Sequence, residues 1–159
     1  MANTYTSLSY HIIFSTKFRK RRITTFREEL YRVIGGIARN QSGTLLEIGG
    51  VEDHVHMLIG VPPKFAVADM VRTIKANSAK WVNERSDVKV KFNWQTGYSA
   101  FTVSQSNCDA VARYIQNQQS HHQRMTFTEE LVKLLRRHGV DHDPRYIVDA
   151  ESPGADAPG

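Results

Sequence analysis

The stretch "TLLEIGGVEDHVHMLIGV", residues 44–61, holds two apolar runs, each of a length that suits a β-strand. "TLLEIGG" (44–50) and "HVHMLIGV" (54–61) read as neighbouring strands, with the turn placed around Gly49 and Gly50. His54 and His56 stand two apart in the second run. Successive strand side chains point to opposite faces, so the two imidazoles share a face while Val55 points the other way. Such a pair can bind a metal, stack on nucleic acid or fill a polar edge of a core, and the hairpin alone leaves these open.

Working outward, "SLSYHIIFST" (7–16) reads as a strand, and "TTFREELYRVIGGIARNQ" (24–41) places Phe26, Leu30, Val33, Ile34 and Ile37 at helical spacing. Gly35 and Gly36 weaken that helix, and Gly43 is its expected stop. Beyond the hairpin, "PPKFAVADMVRTIKANSAKWVNER" starts at Pro62–Pro63 and sets Val67, Met70, Val71, Ile74, Trp81 and Val82 on one helical face. "VKVKFNW" and "YSAFTVS" are extended stretches around the turn-forming Gly97. A helix over 107–123 is expected to be capped by Ser106 or Asn107. The last helix opens on the capping box Thr126-x-x-Glu129, carries Leu131, Leu134 and Leu135, and closes at Gly139.

The order β-α-β-β-α-β followed by helices predicts an α+β fold of the ferredoxin-like or RRM-like split βαβ type. Its antiparallel sheet carries helices on one face and leaves the other free, with C-terminal helices added. Residues 1–148 are expected to form one domain, and the acidic stretch 149–159 a disordered tail. Many unrelated functions use this layout, so the site has to decide.

Composition narrows the classes. A chain of 159 residues with 40% hydrophobic and 23% charged residues suits one soluble globular domain. No apolar run approaches the roughly 18 residues that span a bilayer. The opening lacks the basic segment and cleavage site of a signal peptide, so a cytoplasmic location is expected. One cysteine, Cys108, excludes an intramolecular disulfide and a cysteine-rich zinc module. Net charge is +5, and the tail contributes three acidic residues and no basic one, leaving +8 on residues 1–148. "KFRKRR" (17–22) has five basic residues in six positions, which a solvated loop or a phosphate-binding patch would explain.

Asp53 adjoins the histidine pair and is placed to orient an imidazole, or simply to stabilise a turn. On the helix at 107–123, Tyr114 and Gln118 stand four apart and project from one face, with Asn117 and His121 near it. A half-buried aromatic with a wet hydroxyl is the plainer reading of Tyr114 alone.

Taken together, His54-Val55-His56 and Tyr114-Ile115-Gln116-Asn117-Gln118 resemble the two motifs of the single-tyrosine HUH transposases of small bacterial insertion sequences. In that name H is histidine and U a bulky hydrophobic residue. The likeness extends to "YHIIFSTKFRKRR", "VEDHVHMLIGVPP", "IKANSAKWV" and "RYIQNQQSHH", over residues from about 5 to about 148.

The resemblance implies an enzyme that cuts and rejoins single-stranded DNA with hairpin ends. Tyr114 would be the nucleophile, leaving a 5′-phosphotyrosine and a free 3′-hydroxyl. His54, His56 and the Gln118 amide oxygen would hold Mg²⁺ or Mn²⁺. It also implies a homodimer in which the tyrosine helix of one chain completes the partner's site. Lys17, Arg19, Lys20, Arg21, Arg22, Arg72, Lys75 and Lys80, with the "KVK" at 89–91, are candidate contacts to the DNA backbone. Phe18, Trp94 and Tyr98 are candidate stacking platforms. Two further readings remain beside the mobile-element transposase. One is another HUH enzyme, either host-adopted and acting on dispersed repeats or a replication-type nicking enzyme. The other is a non-catalytic nucleic-acid-binding module.

Overall fold

The computed structural model describes residues 3–144 and Ile147; the expected tail at 149–159 lies outside the described residues. Four strands, β1 (Ser9–Ser15), β2 (Thr44–Val51), β3 (His54–Gly60) and β4 (Ser99–Val103), form one sheet in the order β2-β3-β1-β4. Every neighbouring pair is antiparallel. Helix α1 (Arg27–Asn40) links β1 to β2, and α2 (Val67–Asn83) links β3 to β4. This is the expected split βαβ order. After β4 come α3 (Cys108–Gln116), the single turn α4 (Gln118–His121) and α5 (Phe127–Arg137).

Strand alternation sorts the sheet into two faces. Ile12, Phe14, Val55, Met57 and Ile59 point to one side and pack with Leu30, Ile34, Met70, Val71 and Ile74 of α1 and α2. Each large apolar side chain fully buried there contributes roughly 1.5–3 kcal/mol. On the opposite side His11, Ile13, His54, His56, Leu58 and Phe101 share a face through the pairs Ile13–His56, His11–Leu58 and His11–Phe101. That face is not free. Cys108 and Ile115 of α3 close on Leu58, and Leu134 and Leu135 of α5 close on Ile13 and Phe101. The sheet therefore has helices on both sides, with the two small apolar clusters of the second side flanking a polar strip.

Several local expectations change. The hairpin turn falls at Glu52–Asp53, and Gly49 and Gly50 lie inside β2. A Cβ on Gly49 would come within 2.4 Å of the Ile115 carbonyl oxygen, so this glycine permits close approach of α3. Gly35 and Gly36 do not interrupt α1. Of the two extended stretches around Gly97, only the second forms a ladder; the first makes an isolated bridge from Trp94 to Thr16. There the Asn83 side chain takes over the hydrogen bonds of Phe92, donating to its carbonyl at 2.9 Å and accepting from its N–H at 2.7 Å. Neither Ser106 nor Asn107 caps α3 through its side chain; a 3-10 turn at Gln105–Asn107 leads into the helix instead. Thr126 caps α5, its Oγ1 accepting from the Glu129 N–H at 3.1 Å, and the chain leaves the helix after Arg137 through Gly139 at φ 65°.

Candidate active site

The polar strip lies where β3 runs between β1 and β2, beneath the C-terminal helices. His54 and His56 are fully buried, and Val55 between them packs into the opposite core. The outer nitrogen of each imidazole is tied down. His54 Nδ1 lies 2.7 Å from Asp53 Oδ1, and His56 Nδ1 lies 2.8 Å from His11 Nε2. Both Nε2 atoms consequently face inward, the arrangement in which an outer hydrogen bond orients a ligating imidazole.

The tyrosine segment reaches the histidines of its own chain. It is not the continuous helix over 107–123 that periodicity predicts. The chain breaks at Asn117, whose φ of −95° and ψ of 17° depart from helical values, and Gln118 starts a separate turn. Gln118 Oε1 lies 3.2 Å from His54 Nε2, and Gln118 Nε2 donates to Glu130 Oε2 at 3.0 Å. The Tyr114 hydroxyl donates to the same Glu130 oxygen. Within the chain the four motif residues meet, Tyr114 and Gln118 from the tyrosine segment with His54 and His56 from β3.

Three residues at the site escape the sequence reading. Glu130 on α5 is 1% exposed, and its Oε1 lies 2.9 Å from His56 Nε2 and 3.1 Å from His122 Nε2. His122 follows α4, with Nδ1 held 3.0 Å from the Met125 carbonyl and Nε2 also 3.0 Å from Gln118 Oε1. His11 is the third. A signal for Glu130 does exist: Phe127, Glu130 and Leu134 fall on the inward stripe of an amphipathic helix, where a carboxylate is costly unless paired. The adjacent capping box obscures it by explaining acidic residues in a first turn.

Electrostatics follow from burial. Burial, reinforced by His56 nearby, lowers the His11 pKa to about 3. Burial lowers that of His56 to about 4 despite its bond to Glu130. Both rings are neutral at physiological pH, the form that can ligate. Burial would raise the Glu130 pKa, but hydrogen bonds from His122, His56 and Tyr114 and the His56 charge outweigh it and hold the carboxyl below the ordinary carboxylate range. For His122 burial opposes protonation, and the Glu130 hydrogen bond and charge prevail, so its pKa is raised. Burial and the adjacent Glu130 charge push the Tyr114 phenol well above its usual value.

The donor atoms fit a divalent cation. His54, His56, His122 and Glu130 each offer a ligand atom, and these lie within 4.8 Å of one another. Nitrogen and oxygen donors in such a cluster suit Mg²⁺, Mn²⁺ or Zn²⁺.

Residues 4–118, which include both motifs, match the family described as "Transposase IS200 like". The chain belongs to this transposase family. The transposase of insertion sequence element IS200 from Salmonella typhimurium is 32% identical over 127 residues, covering 74% of this chain and 81% of its own length. ISDra2 transposase TnpA of Deinococcus radiodurans is 26% identical over 117 residues, covering 70% and 84%. A crystal structure of a transposase candidate from Deinococcus radiodurans R1 superposes with a TM-score of 0.59 at 26% identity, covering 74% of this chain and 96% of that one. The REP-associated tyrosine transposase bound to a REP hairpin also superposes with a TM-score of 0.59, covering 98% and 94%, and at 14% identity this likeness shows the fold.

The basic candidates of this transposase are dispersed. Lys17 and Arg21 are exposed, and Lys20 and Arg22 half-buried. Arg19 is buried, its Nη1 donating to Thr128 Oγ1 at 3.2 Å and its guanidinium lying 5.0 Å from the centre of the Phe127 ring. Phe18 and Arg19 adopt positive φ angles of 56° and 49°, a costly backbone that turns the Arg19 side chain inward to α5. Lys75 donates to the carbonyls of Gln95 and Gly97 at 2.6 and 2.7 Å, and burial lowers its pKa. Arg72 pairs with Asp69 at 2.7 Å, and Lys80 is exposed near Glu84. Trp94 is a core residue whose indole N–H donates to Ser78; Phe18 is half-buried and Tyr98 exposed. Among the described residues, no helix is long and apolar enough to cross a membrane.

Proposed function

We propose that the protein cuts and rejoins single-stranded DNA through a 5′-phosphotyrosine on Tyr114. The observation that carries this reading is the meeting of Tyr114 and Gln118 with His54 and His56 inside one buried polar cluster. A divalent ion, Mg²⁺ or Mn²⁺, held by His54, His56 and the Gln118 amide oxygen would act as Lewis acid toward a phosphate oxygen and offset charge developing in the transition state.

The other steps belong to the chain's own residues. Tyr114 Oη attacks the scissile phosphorus, and the bond to the 3′ oxygen breaks, leaving a free 3′-hydroxyl. The Tyr114 hydroxyl donates to Glu130 Oε2, which orients it. With its carboxyl held below the ordinary carboxylate range, Glu130 positions the phenol, whose proton passes to water as the bond to phosphorus forms. Asp53 and His11 fix the ring orientations of His54 and His56. The covalent link conserves the phosphodiester energy, so a returning 3′-hydroxyl reseals without ATP. Lys17, Lys20, Arg21 and Arg22, with Arg72 and Lys80, are proposed to hold the backbone of hairpin-ended DNA in the cytoplasm. Two chains pairing as a homodimer would let two ends be processed together, the tyrosine helix of one chain completing the partner's site.

A second reading, a host-adopted enzyme of dispersed repeats, is favoured by one observation. The superposition on the REP-associated tyrosine transposase covers 98% of this chain and so extends over α5. Incubation with single-stranded hairpin DNA and Mn²⁺ tests the chemistry. A covalent adduct is expected with the wild type, none with Tyr114→Phe, and none after chelation; an adduct persisting in the Phe variant refutes the nucleophile assignment.

A further inference from the structure

Glu130 lies beyond the span that matches the family, which ends at Gln118. It nevertheless sits at the centre of the site. Its Oε1 faces three inward-pointing imidazole nitrogens, at 2.9 Å from His56 Nε2, 3.1 Å from His122 Nε2 and 3.8 Å from His54 Nε2. Gln118 Oε1 adds distances of 3.2 Å to His54 Nε2 and 3.0 Å to His122 Nε2. Atoms about 2.1 Å from a common ion stand about 3.0 Å apart in octahedral geometry and about 3.4 Å apart in tetrahedral geometry. The spacings in the cluster bracket those values.

The orientation of the rings agrees. His54, His56 and His122 each have Nδ1 engaged by an outer partner, respectively Asp53, His11 and the Met125 carbonyl, which leaves Nε2 aimed at the shared point. His122 thus repeats the geometry of the two strand histidines, though it stands on a different segment. Two imidazoles and an amide would leave the full charge of the ion uncompensated. A buried carboxylate among imidazoles, an amide and a phenol supplies the missing negative donor.

We propose that Glu130, carried by α5, is a ligand of the divalent ion, with His122 completing the donor ring. This deepens the functional reading and rests on its metal centre. The two oxygens of the carboxylate then divide their work, Oε1 toward the ion and Oε2 toward the Tyr114 phenol. Helix α5 becomes part of the metal centre, so metal loading and the order of α5 are coupled.

The test is calorimetric titration of the metal-stripped full-length protein with Mn²⁺, without DNA. Glu130→Gln is expected to bind Mn²⁺ at least tenfold more weakly than the wild type. Tyr114→Phe is expected to match the wild type, which separates loss of a ligand from loss of the phenol hydrogen bond. A folded Glu130→Gln variant that binds within twofold of the wild type overturns the proposal, as does a wild type that binds no Mn²⁺. A second measurement needs no variant: Mn²⁺ should slow amide hydrogen exchange across Phe127–Arg137 in the wild type, and unchanged exchange there also overturns it. Failure of the wider functional reading shows separately, as absence of the Tyr114 adduct whatever the titration gives.

Discussion

The tyrosine helix rests on β2 at Gly49, the cross-strand partner of His56. A Cβ on Gly49 would lie 2.4 Å from the Ile115 carbonyl oxygen and 3.2 Å from both its carbonyl carbon and its Cγ2, whereas ordinary van der Waals contact begins near 3.4 Å. Gly49→Ala therefore requires α3 to retreat from β2 by about 1 Å. The clashing atom is backbone, so no rotamer change relieves it. Ile115 adjoins Tyr114, and a 1 Å misplacement of a reacting group can cost about 10²-fold in rate. Overpacking of this kind typically destabilises by about 1–3 kcal/mol, which a domain of this size survives. The assay is single-turnover formation of the covalent adduct on hairpin DNA, with circular dichroism and urea melts to confirm folding. We expect Gly49→Ala to be folded, to bind DNA, and to form adduct about a hundredfold more slowly. Gly36→Ala is the matched control: its Cβ would meet nothing within 4 Å in the middle of α1, so the rate should be unchanged and stability should rise by roughly 0.5–1 kcal/mol. Wild-type adduct kinetics in a folded Gly49→Ala variant would refute the claim that this contact positions the nucleophile.

Thr126→Ala removes the side-chain cap of α5 and should lower stability by about 1 kcal/mol in a urea melt. Ser78→Ala leaves the buried Trp94 indole N–H, now 2.9 Å from Ser78 Oγ, without that acceptor; an expected loss of about 1–3 kcal/mol, with unaltered adduct rate, is read by denaturation and the adduct assay. Replacing Lys17, Arg21 and Arg22 together with Ala should weaken single-stranded DNA binding and reduce the slope of log affinity against log salt by about 2, as expected for about 0.7 per lost phosphate contact. Filter binding across a salt series measures it, and an unchanged slope would remove these residues from the interface.

Much of the fold is legible because the first core is built from strong periodicity. Ile12 and Phe14 alternate, and Leu30, Ile34, Met70, Val71 and Ile74 recur at helical spacing, so β1, α1 and α2 follow from pattern alone. Pattern misleads where a residue has a tertiary purpose. Gly49 and Gly50 resemble a turn, yet Gly49 is small because α3 lies against it. The stretch before Trp94 alternates like a strand, but Phe92 within it hydrogen-bonds to the Asn83 side chain, 9 residues away in sequence, and not to a neighbouring strand. The break at Asn117 has no Gly or Pro to announce it.

The legibility of the site divides along the same line. His54 and His56 share a face by strand geometry, and Tyr114 and Gln118 by helical spacing, so each pair is readable within its own element. What joins the pairs is not local. His11 reaches His56 across β1 and β3, and Glu130 reaches His56 from 74 residues away. Only folding makes those groups neighbours. That separation has an energetic counterpart in the two faces of the sheet. The face packed on α1 and α2 is continuous and apolar, while the other is split by the polar strip into two small clusters around Leu58 and Phe101. Stability then resides mainly on the first face, and the second gives up apolar burial in order to hold ionisable groups together. The fold can carry so many titratable side chains at its centre because the site is placed where the structure depends on it least.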